Sequence, residues 1–217
     1  MIPPIASNFV AGETVDSALG HVEDLNRGGI GGILNLLGEH YDSYEDAAAD
    51  TEEYIELVEE ISARNLKACI SVKPSQLGID ISEELFERNF ERIVDAADSF
   101  VWLDMEDHTT TDATLDVYEK YARETDGNVG VCVQANLVRT GDDLQRLAHL
   151  PGKVRLVKGA YDEPAGIAFT DREKVTQIYR DELEFMFREF DGGIAVGSHD
   201  PAIIDHAGEL YEQYETP

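Results

Sequence analysis

Ten side chains able to hold charge, move protons or offer an amide stand at the ends of apolar runs: Glu39, Lys73, Asp104, Glu106, Gln134, Arg155, Lys158, Tyr161, His199 and Asp200. Arg155 and Lys158 fall in K-V-R-L-V-K-G-A-Y, a stretch that otherwise reads as a buried strand. Neither belongs in an apolar core unless something there needs positive charge. The chain has only six lysines, so a lysine closing an interior strand stands out. Two lysines, an arginine and a histidine facing carboxylates suit an anionic substrate or cofactor. The plainer alternatives are a counter-ion role for Asp104, core packing for Tyr161 and a neutral, hydrogen-bonded structural role for His199.

Residue types alone leave two chemistries open. An interior lysine at a strand end suits a Schiff-base lyase of the class I aldolase kind, its amine activated by burial and a second cation. A cluster of Gln134, Arg155, Lys158 and His199 around a cavity suits a flavin instead, where positive charge stabilises the reduced ring. A third reading is a degenerate barrel that binds without catalysing. No G-x-G-x-x-G loop follows a strand, so a Rossmann nucleotide site is not supported.

The elements that must position these groups alternate regularly. Apolar, β-branched runs occur at G-G-I-L-N-L-L-G-E, K-A-C-I-S-V-K-P, S-F-V-W-L-D-M-E-D, N-V-G-V-C-V-Q-A, K-V-R-L-V-K-G-A-Y and G-G-I-A-V-G-S-H-D. Between them lie acidic segments with helical spacing, such as Tyr54, Leu57, Val58 and Ile61. Alternation of this kind predicts βαβ units and a parallel sheet. Within the runs one parity is greasy, while the other is small early and polar at the C-terminal end. A doubly wound sheet is greasy on both faces. One greasy face, with reactive groups at the C-terminal rim, predicts a (β/α)8 TIM-like barrel. About six βα units are visible, so the expectation is a single domain over residues 1–217 that is incomplete at its C-terminus. Lys158 falls on the parity opposite Arg155, and a bulge at Gly159 is expected to turn it inward.

Composition narrows the partners. The chain has 217 residues, with 45 acidic against 17 basic side chains and a formal charge of −28. Such a surface repels a phosphate backbone and predicts no nucleic-acid partner. Carboxylates this dense are expected of an acidic, halophilic-type protein. Cys69 and Cys132 have no metal or redox spacing. No leader or spanning segment is expected, which makes the cytoplasm the default location.

The ordered set F-V-A-G-E-T, N-L-L-G-E, S-V-K-P-S-Q-L-G, W-L-D-M-E-D, V-Q-A-N-L-V-R-T-G-D-D-L, R-L-V-K-G-A-Y-D-E-P and G-S-H-D-P-A-I-I resembles the proline dehydrogenase family. The likeness runs from about residue 9 to residue 205. It implies an FAD-dependent barrel enzyme that oxidises L-proline to Δ1-pyrroline-5-carboxylate and passes the electrons to a quinone. That acceptor implies peripheral contact with the inner face of the membrane.

At matching positions the resemblance implies that Lys73 contacts the proline carboxylate and Tyr161 packs over the substrate ring. It places Asp104 at the active site and Arg155 near the reactive nitrogen of the flavin, and makes both catalytic. It assigns Met105, Gln134, Arg155, Lys158, Gly159, Ala160, Ser198 and His199 to the cofactor. Pro74-Ser75 stands where Leu-Thr is common, Asn136 replaces an aromatic, and Ser198 replaces threonine. The family's late L-Y-G strand and its helix with paired arginines have no counterpart in these 217 residues.

Overall fold

The computed structural model describes residues 10–216. Seven helices and six strands alternate: α1 (Val15–Arg27), β1 (Gly32–Leu34), α2 (Tyr44–Ala63), β2 (Ala68–Val72), α3 (Glu83–Ala96), β3 (Val101–Leu103), α4 (Thr111–Glu124), β4 (Val129–Gln134), α5 (Thr140–Leu147), β5 (Lys153–Val157), α6 (Arg172–Glu189), β6 (Ile194–Gly197) and α7 (Pro201–Tyr214). Each strand falls inside one of the six apolar runs. Strand order in the sheet follows chain order, as βα units with short connections require. These features are consistent with the incomplete barrel expected from the alternation.

Local chemistry sets the helix boundaries. Ser43, Ser82, Asp171 and Asp200 each accept a backbone N–H at a helix start, and Thr14 with Ser17 forms a capping box. Pro201 occupies the first turn of α7, where a missing N–H costs nothing. Acidic residues crowd the first turns of α2 and α3 and complement the helix dipoles.

Two compact units divide the chain, one comprising residues up to Val72 together with Gln76–Val101, the other Lys73–Ser75 with Trp102 onward. In the first, β1 pairs in parallel with β2, Ile33 opposite Cys69. Helix α2 covers β2 with Tyr54, Leu57, Val58 and Ile61, all buried. The hydroxyl of Tyr54 accepts from the Leu36 N–H at 3.1 Å and reaches Gln76 Oε1 at 2.9 Å. Gln76 Nε2 in turn donates to the Leu36 carbonyl at 3.0 Å. One tyrosine thereby ties down the chain after β1.

In the second unit β4 pairs in parallel with β5, and β5 with β6. Every residue of β4 is buried. Gly130 lets the Trp102 ring lie against the strand, since a Cβ there would come within 2.5 Å of it. Helix α6 buries Tyr179, Leu183, Met186 and Phe187, and the Tyr179 hydroxyl donates to the Leu156 carbonyl at 2.8 Å.

Glu182 on α6 is a liability. Its Oε2 is buried without a hydrogen-bond partner, and burial, with Asp181 beside it, pushes the carboxyl up to about 8 from 4.5. Between those two values the folded chain binds more protons than the unfolded one, so stability falls as pH rises. Below pH 4.5 the group is neutral in both states and contributes nothing. Glu182→Gln is therefore expected to leave stability unchanged at pH 4 and raise it by roughly 2 to 4 kcal/mol at pH 8. Urea unfolding at the two pH values reads this directly, and an equal effect at both would contradict it.

Candidate active site

Three neighbouring strands deliver polar side chains at their C-terminal ends. Beyond β3 come Asp104 and Met105, β4 supplies Cys132 and Gln134, and β5 supplies Arg155 and Val157, followed by Lys158, Gly159 and Ala160. These nine residues line one cavity of about 270 Å³. In the parallel register Cys132 lies opposite Arg155 and Gln134 opposite Val157.

Arg155 is the hub. Its Nη2 donates to Asp104 Oδ1 at 2.6 Å, and its Nε to Cys132 Sγ at 2.8 Å. The guanidinium lies over the Trp102 ring, 4.7 Å from the centroid, a favourable placement for a partly desolvated cation. Burial works against the Arg155 charge, but the Asp104 carboxylate and the hydrogen bonds to Asp104 and the Cys132 sulfur outweigh it and push the group up. Burial also pushes the Cys132 thiol up to about 12, helped by Asp104. The protonated thiol accordingly reaches Asp104 Oδ1 as a donor, at 3.3 Å.

Gln134 joins the ends of two strands. Its Nε2 donates to the Glu106 carbonyl at 2.8 Å, and its Oε1 accepts the Ala160 N–H at 3.3 Å. With both ends held, the amide is fixed in orientation and keeps one N–H for a further acceptor.

The β4–β5 ladder continues past β5 instead of bulging: the Asn136 N–H donates to the Lys158 carbonyl at 3.0 Å. Gly159 then turns at φ +110, a left-handed conformation open to glycine. The expected inward bulge is thus replaced by an abrupt bend. Lys158 Nζ reaches Asp200 Oδ2 at 3.1 Å and Thr176 Oγ1 at 3.2 Å, toward the starts of α7 and α6. The Lys158 hydrogen bond holds the Asp200 carboxyl below its usual range.

A second cavity, of about 370 Å³, shares Lys158 and Gly159 with the first and adds Asn136, Tyr161, Glu163, Arg172 and Thr176 among its lining. Asn136 Oδ1 is buried with no partner, an acceptor held against Gly159. Glu163 is buried, and its Oε1 accepts the His108 N–H at 2.8 Å while its Oε2 lies 2.5 Å from His108 Nδ1. Lys73 follows β2 directly and is half-buried. Ser198 Oγ accepts the Asp200 N–H at 3.1 Å, and His199 is exposed. Neither Ser198 nor His199 is among the residues lining these two cavities.

Arg155, Asp104, Gln134, Met105, Lys158, Gly159 and Ala160, singled out in the sequence, therefore share one cavity, with Tyr161 in the next. Cys132 was not singled out, although it shares Gln134's parity and could have been found on that ground. Arg172 and Thr176 carried no such signal, because the segment leading into α6 reads as an ordinary capped helix.

A family model described as proline dehydrogenase matches residues 18–200. The chain belongs to the proline dehydrogenase family. It is 38% identical over 208 residues to a proline dehydrogenase of Deinococcus radiodurans, covering 93% of this chain and 67% of that protein. It is 33% identical over 215 residues to proline dehydrogenase 1 of Bacillus subtilis strain 168, covering 98% of this chain and 70% of the relative.

Among solved structures, proline utilization A from Bdellovibrio bacteriovorus, inactivated by N-propargylglycine, superposes with a TM-score of 0.84 at 22% identity. A proline utilization A of Bradyrhizobium japonicum gives 0.69 at 19%. These likenesses establish the fold. The chain spans about a quarter of those two solved chains, 27% and 24%, while covering 98% and 93% of itself. Among the described residues no helix of this proline dehydrogenase family member is long and apolar enough to cross a membrane.

Proposed function

We propose that this chain is an FAD-dependent proline dehydrogenase unit, oxidising L-proline to Δ1-pyrroline-5-carboxylate and handing the electrons to a quinone. The observation that carries the reading is the Arg155–Asp104 pair, at 2.6 Å, in one cavity with the fixed amide of Gln134. Proline oxidation breaks the C–H bond next to nitrogen, moves hydride to an acceptor and leaves a C=N bond after loss of the nitrogen proton. FAD, when bound, supplies that two-electron acceptor.

The residues present fit such a group. Gly159 leaves room where a Cβ would fall 2.1 Å from Asn136 Oδ1, and that oxygen is a buried acceptor awaiting a donor. Arg155, Gln134, the Met105 main chain, Lys158, Gly159 and Ala160 would hold the cofactor; Ser198 and His199 are assigned to it by the family resemblance alone. Arg155 provides preorganised positive charge where negative charge develops, an effect strongest in a partly desolvated site. Asp104 orients that guanidinium and lies beside the substrate. Lys73 takes the proline carboxylate and Tyr161 covers the ring. Desolvation among fixed cations favours the neutral amine, the form that gives up hydride. The quinone implies work at the inner face of the membrane by an otherwise cytoplasmic protein.

The contacts of Lys158 support this reading over Schiff-base chemistry. Its Nζ is engaged by Asp200 Oδ2 at 3.1 Å and Thr176 Oγ1 at 3.2 Å, whereas Schiff-base formation needs an amine free to attack a carbonyl. The test is proline-dependent reduction of a quinone analogue by the purified protein, run beside borohydride trapping with proline. Reduction without labelling is expected. A lysine labelled by borohydride, with no reduction, would overturn the proposal.

A further inference from the structure

We propose that Glu106 is a positioning residue for Lys73, acting through Ser75. The inference rests on the reading above, in which Lys73 takes the carboxylate of proline, and adds how that cation is placed. Glu106 is 1% exposed, and so is Ser75. Its carboxylate grips one residue twice: Oε2 accepts the Ser75 N–H and Oε1 accepts the Ser75 hydroxyl, each at 2.7 Å. Both bonds are charge-assisted, and together they fix the serine in position and orientation. The backbone of Glu106 is anchored in turn, since its carbonyl accepts Gln134 Nε2 at 2.8 Å.

The chain between clamp and cation is short and stiff. Lys73-Pro74-Ser75 leaves two peptide links between the gripped residue and the lysine. Pro74 has its φ locked near −65°, and a residue preceding proline is confined to extended backbone. Much of the backbone freedom between Ser75 and Lys73 is therefore removed by covalent geometry, and the Glu106 grip fixes the end from which the lysine is placed. On its other side Lys73 follows β2, which ends at Val72. A carboxylate this deeply buried carries a desolvation cost that apolar packing would avoid. Its retention beside the site is intelligible if the return is placement of a charge. Glu106 is buried with both carboxylate oxygens on Ser75, so it acts through Ser75 and not on substrate.

Glu106→Gln keeps the shape and removes the charge. It is expected to raise KM for proline about tenfold while kcat and flavin content change less than about threefold, because only ground-state and transition-state binding through Lys73 is lost. Ser75→Ala, which removes one bond of two, is expected to shift KM in the same direction by less. The double variant should be no worse than Glu106→Gln alone. In the cofactor-free protein, the Ser75 amide should exchange its hydrogen faster in Glu106→Gln than in wild type. Should Glu106→Gln fail to fold, the KM shift of Ser75→Ala decides.

An unchanged KM in a folded variant overturns the inference, as does unchanged Ser75 exchange. Equal losses of kcat and flavin also overturn it, since those mark a merely structural role. Wild type that oxidises no proline overturns the parent reading and this one together, and is seen before any variant is made.

Discussion

Arg155→Met is expected to hold less flavin than wild type and to oxidise proline roughly 10²- to 10³-fold more slowly, the usual cost of removing one preorganised charge from a partly desolvated site. Asp104 at 2.6 Å, Cys132 Sγ at 2.8 Å and the Trp102 ring at 4.7 Å help to place this charge. Methionine keeps the bulk over Trp102 and loses the hydrogen bonds to Asp104 and Cys132. It also removes the guanidinium that offsets the Asp104 carboxylate, whose negative charge opposes the electron density arriving during hydride transfer. Arg155→Lys should recover little, because an ammonium has no planar fork to reach a carboxylate and a sulfur at once. Flavin content from the absorbance ratio, with stopped-flow reduction, separates the binding loss from the chemical one. Wild-type values for both would remove Arg155 from the site.

Gly159→Ala carries the second large effect. The residue sits at φ +110, and an added Cβ would lie 2.1 Å from Asn136 Oδ1 and 2.3 Å from its Cγ. The backbone conformation alone costs a non-glycine residue about 1 to 3 kcal/mol, and relief of the clash requires Asn136 to move. Asn136 is stitched on both sides, its N–H to the Lys158 carbonyl and its C=O from the Phe169 N–H, so its movement disturbs both cavities. The variant is expected to melt several degrees lower and to bind flavin at least tenfold more weakly, about 1.4 kcal/mol. A thermal melt with a flavin titration measures both. Gly141, in the first turn of α5, has no heavy atom within 4 Å of an added Cβ. Gly141→Ala is the matching control and should change neither.

Much of the fold was legible because strand and helix periods are local. Every strand lies in a run of β-branched and apolar residues, and Tyr54, Leu57, Val58 and Ile61 are the buried face of α2. The site was legible where parity and strand ends sufficed, as for Asp104, Gln134 and Arg155. What escaped depends on partners distant in sequence. Glu163 meets His108 across 55 residues and Lys158 meets Asp200 across 42. Nothing local to Lys158 announces that its ammonium turns toward α6 and α7, and parity fails there because Gly159 ends the strand's regular geometry. The Cys132–Arg155 contact needed the β4–β5 register, which apolar alternation constrains only to every second residue.

Side chains from β3, β4 and β5 line one cavity and are proposed to meet one electron-accepting ring there. The most direct test is the visible absorption spectrum of the purified protein, taken without oxygen before and after L-proline is added. A flavin spectrum that bleaches with proline is predicted. A colourless protein that takes up no FAD, or a flavin spectrum indifferent to proline, would contradict it.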